Sequence, residues 1–151
     1  MSTAPSLAEG YEVLRPKILQ RLLELRSTLD PSLGRLDDAT AHVHVSAVLD
    51  HIGNFIATGD LGLHRGFLHT FLAMRAAESQ NPASVLAMLV AIGDTAAQIA
   101  QEQAASAELT LLLTRVTATT ARGVNDLIAE ELERRAAQRA DLASRVREGK
   151  P

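Results

Sequence analysis

The chain reads as all-α: a globin-like or helical-bundle single domain of five or six helices with a long C-terminal helix. Three observations predict it. Apolar residues recur at helical spacing in every long segment, as in Ile18, Leu19, Leu22, Leu23, Leu25 and Leu29. Ala and Leu dominate while only 3 % of the 151 residues are aromatic, which suits close helix packing and gives strands little support. No segment carries a strand pattern, a hairpin signal or an internal repeat.

The elements follow in order. Met1 to Pro5 is expected to be a loose tail. A short helix is expected from about Ser6, because Leu7, Tyr11 and Leu14 lie at i, i+4 and i+7. Pro16 should interrupt it, starting a new helix or a kink, since proline has no N–H to donate and crowds the preceding turn. Asp30-Pro31 ends the helix that follows, and Pro31 to Asp37 is a connection. Asp37 or Asp38 can cap the next helix, which buries Val45, Val48, Leu49, Ile52, Phe55 and Ile56. Gly59 supplies the left-handed residue that ends it, and Asp60 caps its successor. That successor has an apolar face of Leu63, Phe67, Leu68, Phe71, Leu72 and Met74. Asn81-Pro82 is a further stop and start. The stripe from Val85 to Ala100 is broad enough to contact neighbours on more than one side. Ser106 to about Glu148 then forms one long helix. Its residues Leu109, Leu113, Val116, Thr120, Gly123 and Leu127 alternate steps of four and three, a seam suited to pairing two copies.

This pattern divides the chain into a helical core domain, residues 1–103, and a C-terminal helix, residues 104–151. The helix docks on the core at its start and dimerises or projects at its end. Beyond Ala129 the sequence EELERRAAQRADLASRVREG is charged and poor in core-sized residues, so it cannot fold alone.

Composition narrows the function. A net charge of −3 argues against binding nucleic acid through bulk charge. The absence of cysteine removes disulfides, thiolate metal sites and thiol nucleophiles. No signal-peptide pattern opens the chain, and the longest strongly apolar run, Val85 to Ile92, is too short to cross a bilayer. The expectation is a cytoplasmic protein without a membrane or nucleic-acid partner.

All five histidines lie between His42 and His69, so a chemical site is most expected there. Their spacing is not that of a zinc helix, and none has a Glu three residues before it, so neither HExxH nor ExxH is present. No metal is expected, and partly exposed or hydrogen-bonded histidines are the favoured reading. An alternative gives His51 and His69 to haem or another tetrapyrrole, or uses Phe55, Phe67, Phe71 and Met74 to line an apolar ligand pocket. Asp50 and Asp94 are expected to be exposed or to pair with Arg65 or Arg75. There is no nucleophile elbow, phosphate loop or dinucleotide fingerprint, so an enzyme is not expected and no catalytic residue is assigned.

The stretch VLDHIGNFIATGDLGLHRGFLHTFLAMRAAE, followed by NPASVLAMLVAIGDTAAQIAQE, is similar in layout to the N-terminal sensory domains of RsbR-type stressosome proteins. The shared features are a helix ending in Gly-Asp, a helix with paired Phe and Leu and an Arg near its end (Arg75), and a Pro-started helix. The likeness spans roughly Leu14 to Gln103. It implies a non-haem, globin-like sensor domain, and the tail resembles helical linkers that join bacterial input domains to output domains. The phosphorylatable output domain of that family is not in this chain, and no functional residue carries over.

The expected function is therefore a signalling input or protein-interaction module with no cofactor. It would form a homodimer, engage a protein signalling partner and pass a packing change through its last helix.

Overall fold

The computed structural model describes residues 6–149, so the expected N-terminal tail lies outside the described residues. Those residues form six helices and no strand. Helix α1 runs Leu7–Leu29, α2 Pro31–Gly34, α3 Asp38–Thr58, α4 Leu61–Ala77, α5 Pro82–Glu102 and α6 Ala107–Arg147.

Local chemistry sets most of these boundaries. At the start of α1, Ser6 Oγ accepts the Glu9 N–H while the Glu9 carboxylate accepts the Ser6 N–H, a reciprocal capping box. Asp37, not Asp38, caps α3. Asp60, Asn81 and Ser106 accept the backbone N–H of Leu63, Ser84 and Leu109 at the starts of α4, α5 and α6. Gly59 ends α3 at φ 64°.

Three expectations are corrected here. Pro16 does not interrupt α1, which continues through it as one helix. Tyr11 and Leu14 on one side of the proline and Ile18 and Leu22 on the other are all buried on the same face, and this packing holds the helix together across the lost N–H. The Pro31 to Asp37 connection contains a helical turn, α2, capped by Asp30 and anchored by the fully buried Leu33. On α4, Leu63 and Met74 do not join the core: they are 63 % and 54 % exposed.

Helix α5 lies at the centre and touches each of the other five. Its length and apolarity would suffice to cross a bilayer, but half of that window is buried inside the chain's own core. Gly93 makes the tightest approach to α6: a methyl group there would come within 3.0 Å of Thr117 Cβ and closer still to its Oγ1. The Thr117 side chain fills the space a side chain at residue 93 would need, so any larger residue there must displace it. Helix α1 packs on α3, where the buried Tyr11 hydroxyl donates to the Leu49 carbonyl at 2.6 Å. Burial pushes that phenol's pKa upward, so it stays a donor.

The first half of α6 belongs to the core. Leu109, Leu113, Val116, Thr120 and Val124 are buried. A methyl at Gly123 would strike Leu68 of α4, and Leu127 packs partly buried against the core. The seam expected to join two copies is thus occupied by the chain's own α4 and α5, because a 4–3 alternation serves packing within one chain as well as between two. From residue 129 to 147 no side chain is buried.

Candidate functional site

The densest polar arrangement lies between α3 and α4, at one part-buried and one buried contact, about two helical turns apart along α3 and three along α4.

The first joins His51 of α3 to His64 of α4. Nε2 of His51 and Nδ1 of His64 are 2.6 Å apart. The ring centroids are 4.8 Å apart and the planes differ by 18°. That separation is close to the nitrogen–nitrogen distance plus one ring radius on each side. The imidazoles therefore meet edge to edge, nearly coplanar, joined by an in-plane N–H···N bond. One nitrogen carries the hydrogen and the other must be bare. Phe67 lies flat on His51, with centroids 4.0 Å apart and planes 7° apart, and Phe55 tilts against His64 at 5.0 Å. On its far side, His64 Nε2 is 3.5 Å from Thr120 Oγ1 of α6. His64 is 3 % exposed. Burial and the neighbouring His64 push His51 down from 6.5 to about 4, and burial lowers His64 as well.

The second contact joins His44 of α3 to Arg75 of α4. Arg75 donates through Nη1 to His44 Nε2, which can accept only while it carries no proton. The Arg75 guanidinium also lies 5.0 Å from the centre of the Phe71 ring and pairs with Glu78 at 3.2 Å. Arg75 is 3 % and His44 6 % exposed. Arg75 Nε and His44 Nδ1 have no hydrogen-bond partner. Burial first, and then the Arg75 charge, lower the His44 pKa.

Beside His51 lies a cavity of about 10 Å³, lined among others by Phe67, Leu89, Gly93, Val116 and Thr120. That is room for about one water molecule. A tetrapyrrole could enter only if α4 and α6 moved apart. Among the described residues no group of three or more His, Cys, Asp or Glu is placed to hold a metal ion.

The structure thus brings together His51, Phe55, Phe67 and Phe71 from the sequence-derived candidates. It leaves His69 and Met74 on the exposed side of α4. His64, His44 and Arg75 complete the arrangement, and the sequence reading gave none of them a site role. A signal for two of them existed: His64, Leu68, Phe71 and Arg75 are spaced by four, three and four, one buried stripe with an ionisable residue at each end. Asp50 pairs with Arg15 of α1, Arg65 with Glu130 of α6, and Asp94 is exposed. Both aspartates lie on exposed faces, one of the two arrangements expected of them, and neither pairs with Arg65 or Arg75.

The chain has no significant match among protein-family models, curated proteins or solved structures. Its function is therefore argued from geometry.

Proposed function

We propose that this chain is a signalling-input or protein-interaction module whose output is the position of α6. The carrying observation is the division of that 41-residue helix. Its first half is built into the core beside α4 and α5, and its second half, from residue 129 to 147, buries nothing. A helix packed into the core at one end and held at the other only near its root, by the Arg65–Glu130 ion pair, can pass a rearrangement to a partner. The layout shared with stressosome sensor domains supports the same reading.

Self-association, in this reading, uses the free half. Leu132, Leu142 and Val146 are 56 %, 62 % and 69 % exposed there. The seam from Leu109 to Leu127 stays with the core.

Light-scattering mass, measured on the full chain and on a chain ending at Ala129, tests the self-association. The expected result is a dimer for the first and a monomer for the second, with a thermal midpoint that rises with concentration only for the first. A full chain that remains monomeric at every soluble concentration overturns the dimer. A truncated chain that still dimerises moves the interface from α6 to the core.

A further inference from the structure

Helix α4 is held unlike its neighbours. Only His64, Leu68, Phe71 and Arg75 are buried, and the first and last of these are ionisable. Each of the two makes its polar contact with a histidine of α3, and each contact has the same requirement: a ring nitrogen without a proton.

We propose that α4 is a proton-operated element, docked on α3 and α6 while His44, His51 and His64 are neutral and released when they take up protons.

The His51–His64 contact tolerates a limited proton load. With both rings neutral, one N–H faces one lone pair. A first proton can enter at an outer nitrogen and leave that bond intact. A second places N–H against N–H at 2.6 Å, and the rings must part. The same spacing distinguishes a proton from a metal ion. Metal–nitrogen bonds of about 2.0–2.1 Å would need the two nitrogens more than about 3 Å apart in tetrahedral geometry, so the gap suits hydrogen alone.

At the other end, protonated His44 cannot accept from Arg75 and would set a second cation beside a buried one. Loss of a buried acceptor costs more than the bond itself contributes. Both polar contacts between α3 and α4 therefore fail in the same direction.

Little in the surroundings offsets this. Among the described residues, His64 is the ionisable group that acts on His51. Around it α5 presents Leu89 and Gly93, and α6 presents Val116, Thr117 and Thr120. At His44, Glu78 and Asp37 favour the charged ring, but burial and Arg75 outweigh them. The nearby ion pairs, Arg15–Asp50 between α1 and α3 and Arg65–Glu130 between α4 and α6, each have at least one partner well exposed to solvent, where such a pair contributes little.

The sign follows from linkage. These histidines bind protons less well when docked than when free. Docking is therefore fully favoured above about pH 6.5 and weakens as pH falls toward 4. His51 alone would weaken it by up to about thirtyfold at pH 5 relative to pH 8.

This proposal supplies a signal for the module described above. It rests on that reading only for its use, because release of α4 is observable in a monomer. The experiment is amide hydrogen exchange by mass spectrometry on the full chain from pH 8 to pH 5, corrected for intrinsic rates. Ring-proton NMR of the five histidines follows the titration directly. Peptides covering residues 61–77 should lose at least tenfold in protection while those of α5 keep theirs. The rings of His44, His51 and His64 should titrate below the ordinary histidine range. In the His51→Leu/His64→Leu variant, the loss at the N-terminal end of α4 should move to lower pH. The exposed-site variant His42→Gln/His69→Gln should behave as the parent. If the leucine variant fails to fold, the parent's exchange and ring titrations decide. The proposal is overturned if α4 keeps its protection to pH 5, if α4 and α5 lose protection together, or if the rings of His44, His51 and His64 titrate within the ordinary histidine range.

Discussion

Helices α4 and α5 are adjacent in sequence and packed together, yet they are held by different physics. Of 21 residues in α5, nine are buried and none is charged. Of 17 in α4, four are buried and two of those are ionisable. Apolar burial is non-directional and nearly independent of pH. The contacts of α4 are directional and need particular protonation states. One helix belongs to the unit that must unfold globally, and the other is a candidate for local opening at lower free energy. The same distinction assigns them roles: α5 fixes the frame, and α4 is the part that conditions can move.

Substitutions can break or sharpen this contrast. Gly93→Ala should have the largest effect. The methyl group would press on Thr117, and the expected loss is about 2 kcal/mol even after the gain in helix propensity. It should lower the thermal midpoint of the whole domain, and Thr117→Ala in the same chain should restore part of it. The helix caps give a matched pair of intermediate size. Asp60→Ala and Asn81→Ala each remove a side-chain acceptor from a helix start, at about 1 kcal/mol. Exchange should report the first in α4 alone and the second across α5 and α6; a global response to both would erase the distinction drawn here. The smallest effect is expected from Ser79→Gly. Ser79 ends α4 at φ 63°, a conformation that costs an L-residue energy but not glycine. After the added freedom of the unfolded chain, a gain of about 0.5 kcal/mol should remain, seen as slower exchange at the end of α4.

The legible parts of the fold were those with local chemistry at their ends. The Gly59-Asp60 and Asn81-Pro82 breaks each place a special backbone requirement beside a residue that meets it. The ends of α4 and α5 lack such marks, because Ser79 and Ala104 adopt the left-handed conformation in glycine's place. Pro16 misled in the opposite sense: its local cost is real, but tertiary packing on both sides overrides it. On α4 the apolar residues Leu61, Leu63 and Met74 are exposed while His64 and Arg75 are buried. A stripe drawn through hydrophobic residues alone therefore finds the centre of the face, Phe67, Leu68, Phe71 and Leu72, and misses its ionisable ends. The candidate site was legible as a neighbourhood, since all five histidines fall in one stretch. The pairing of His51 with His64 was not, because it depends on how two helices fold back across the Gly59 turn.

The length of α6 has a mechanical consequence. Its uncovered part, from residue 129 to 147, spans about 28 Å at 1.5 Å per residue. The point of support lies near Gly123, where Leu68 of α4 bears on the helix. A rigid rod held there acts as a lever: a tilt of about 10° would carry its tip roughly 6 Å, a little more than the pitch of one helical turn. A displacement at Leu68 too small to alter the core would thus be large at Val146, and the charged, apolar-poor composition of the arm lets it swing through water without a packing penalty of its own.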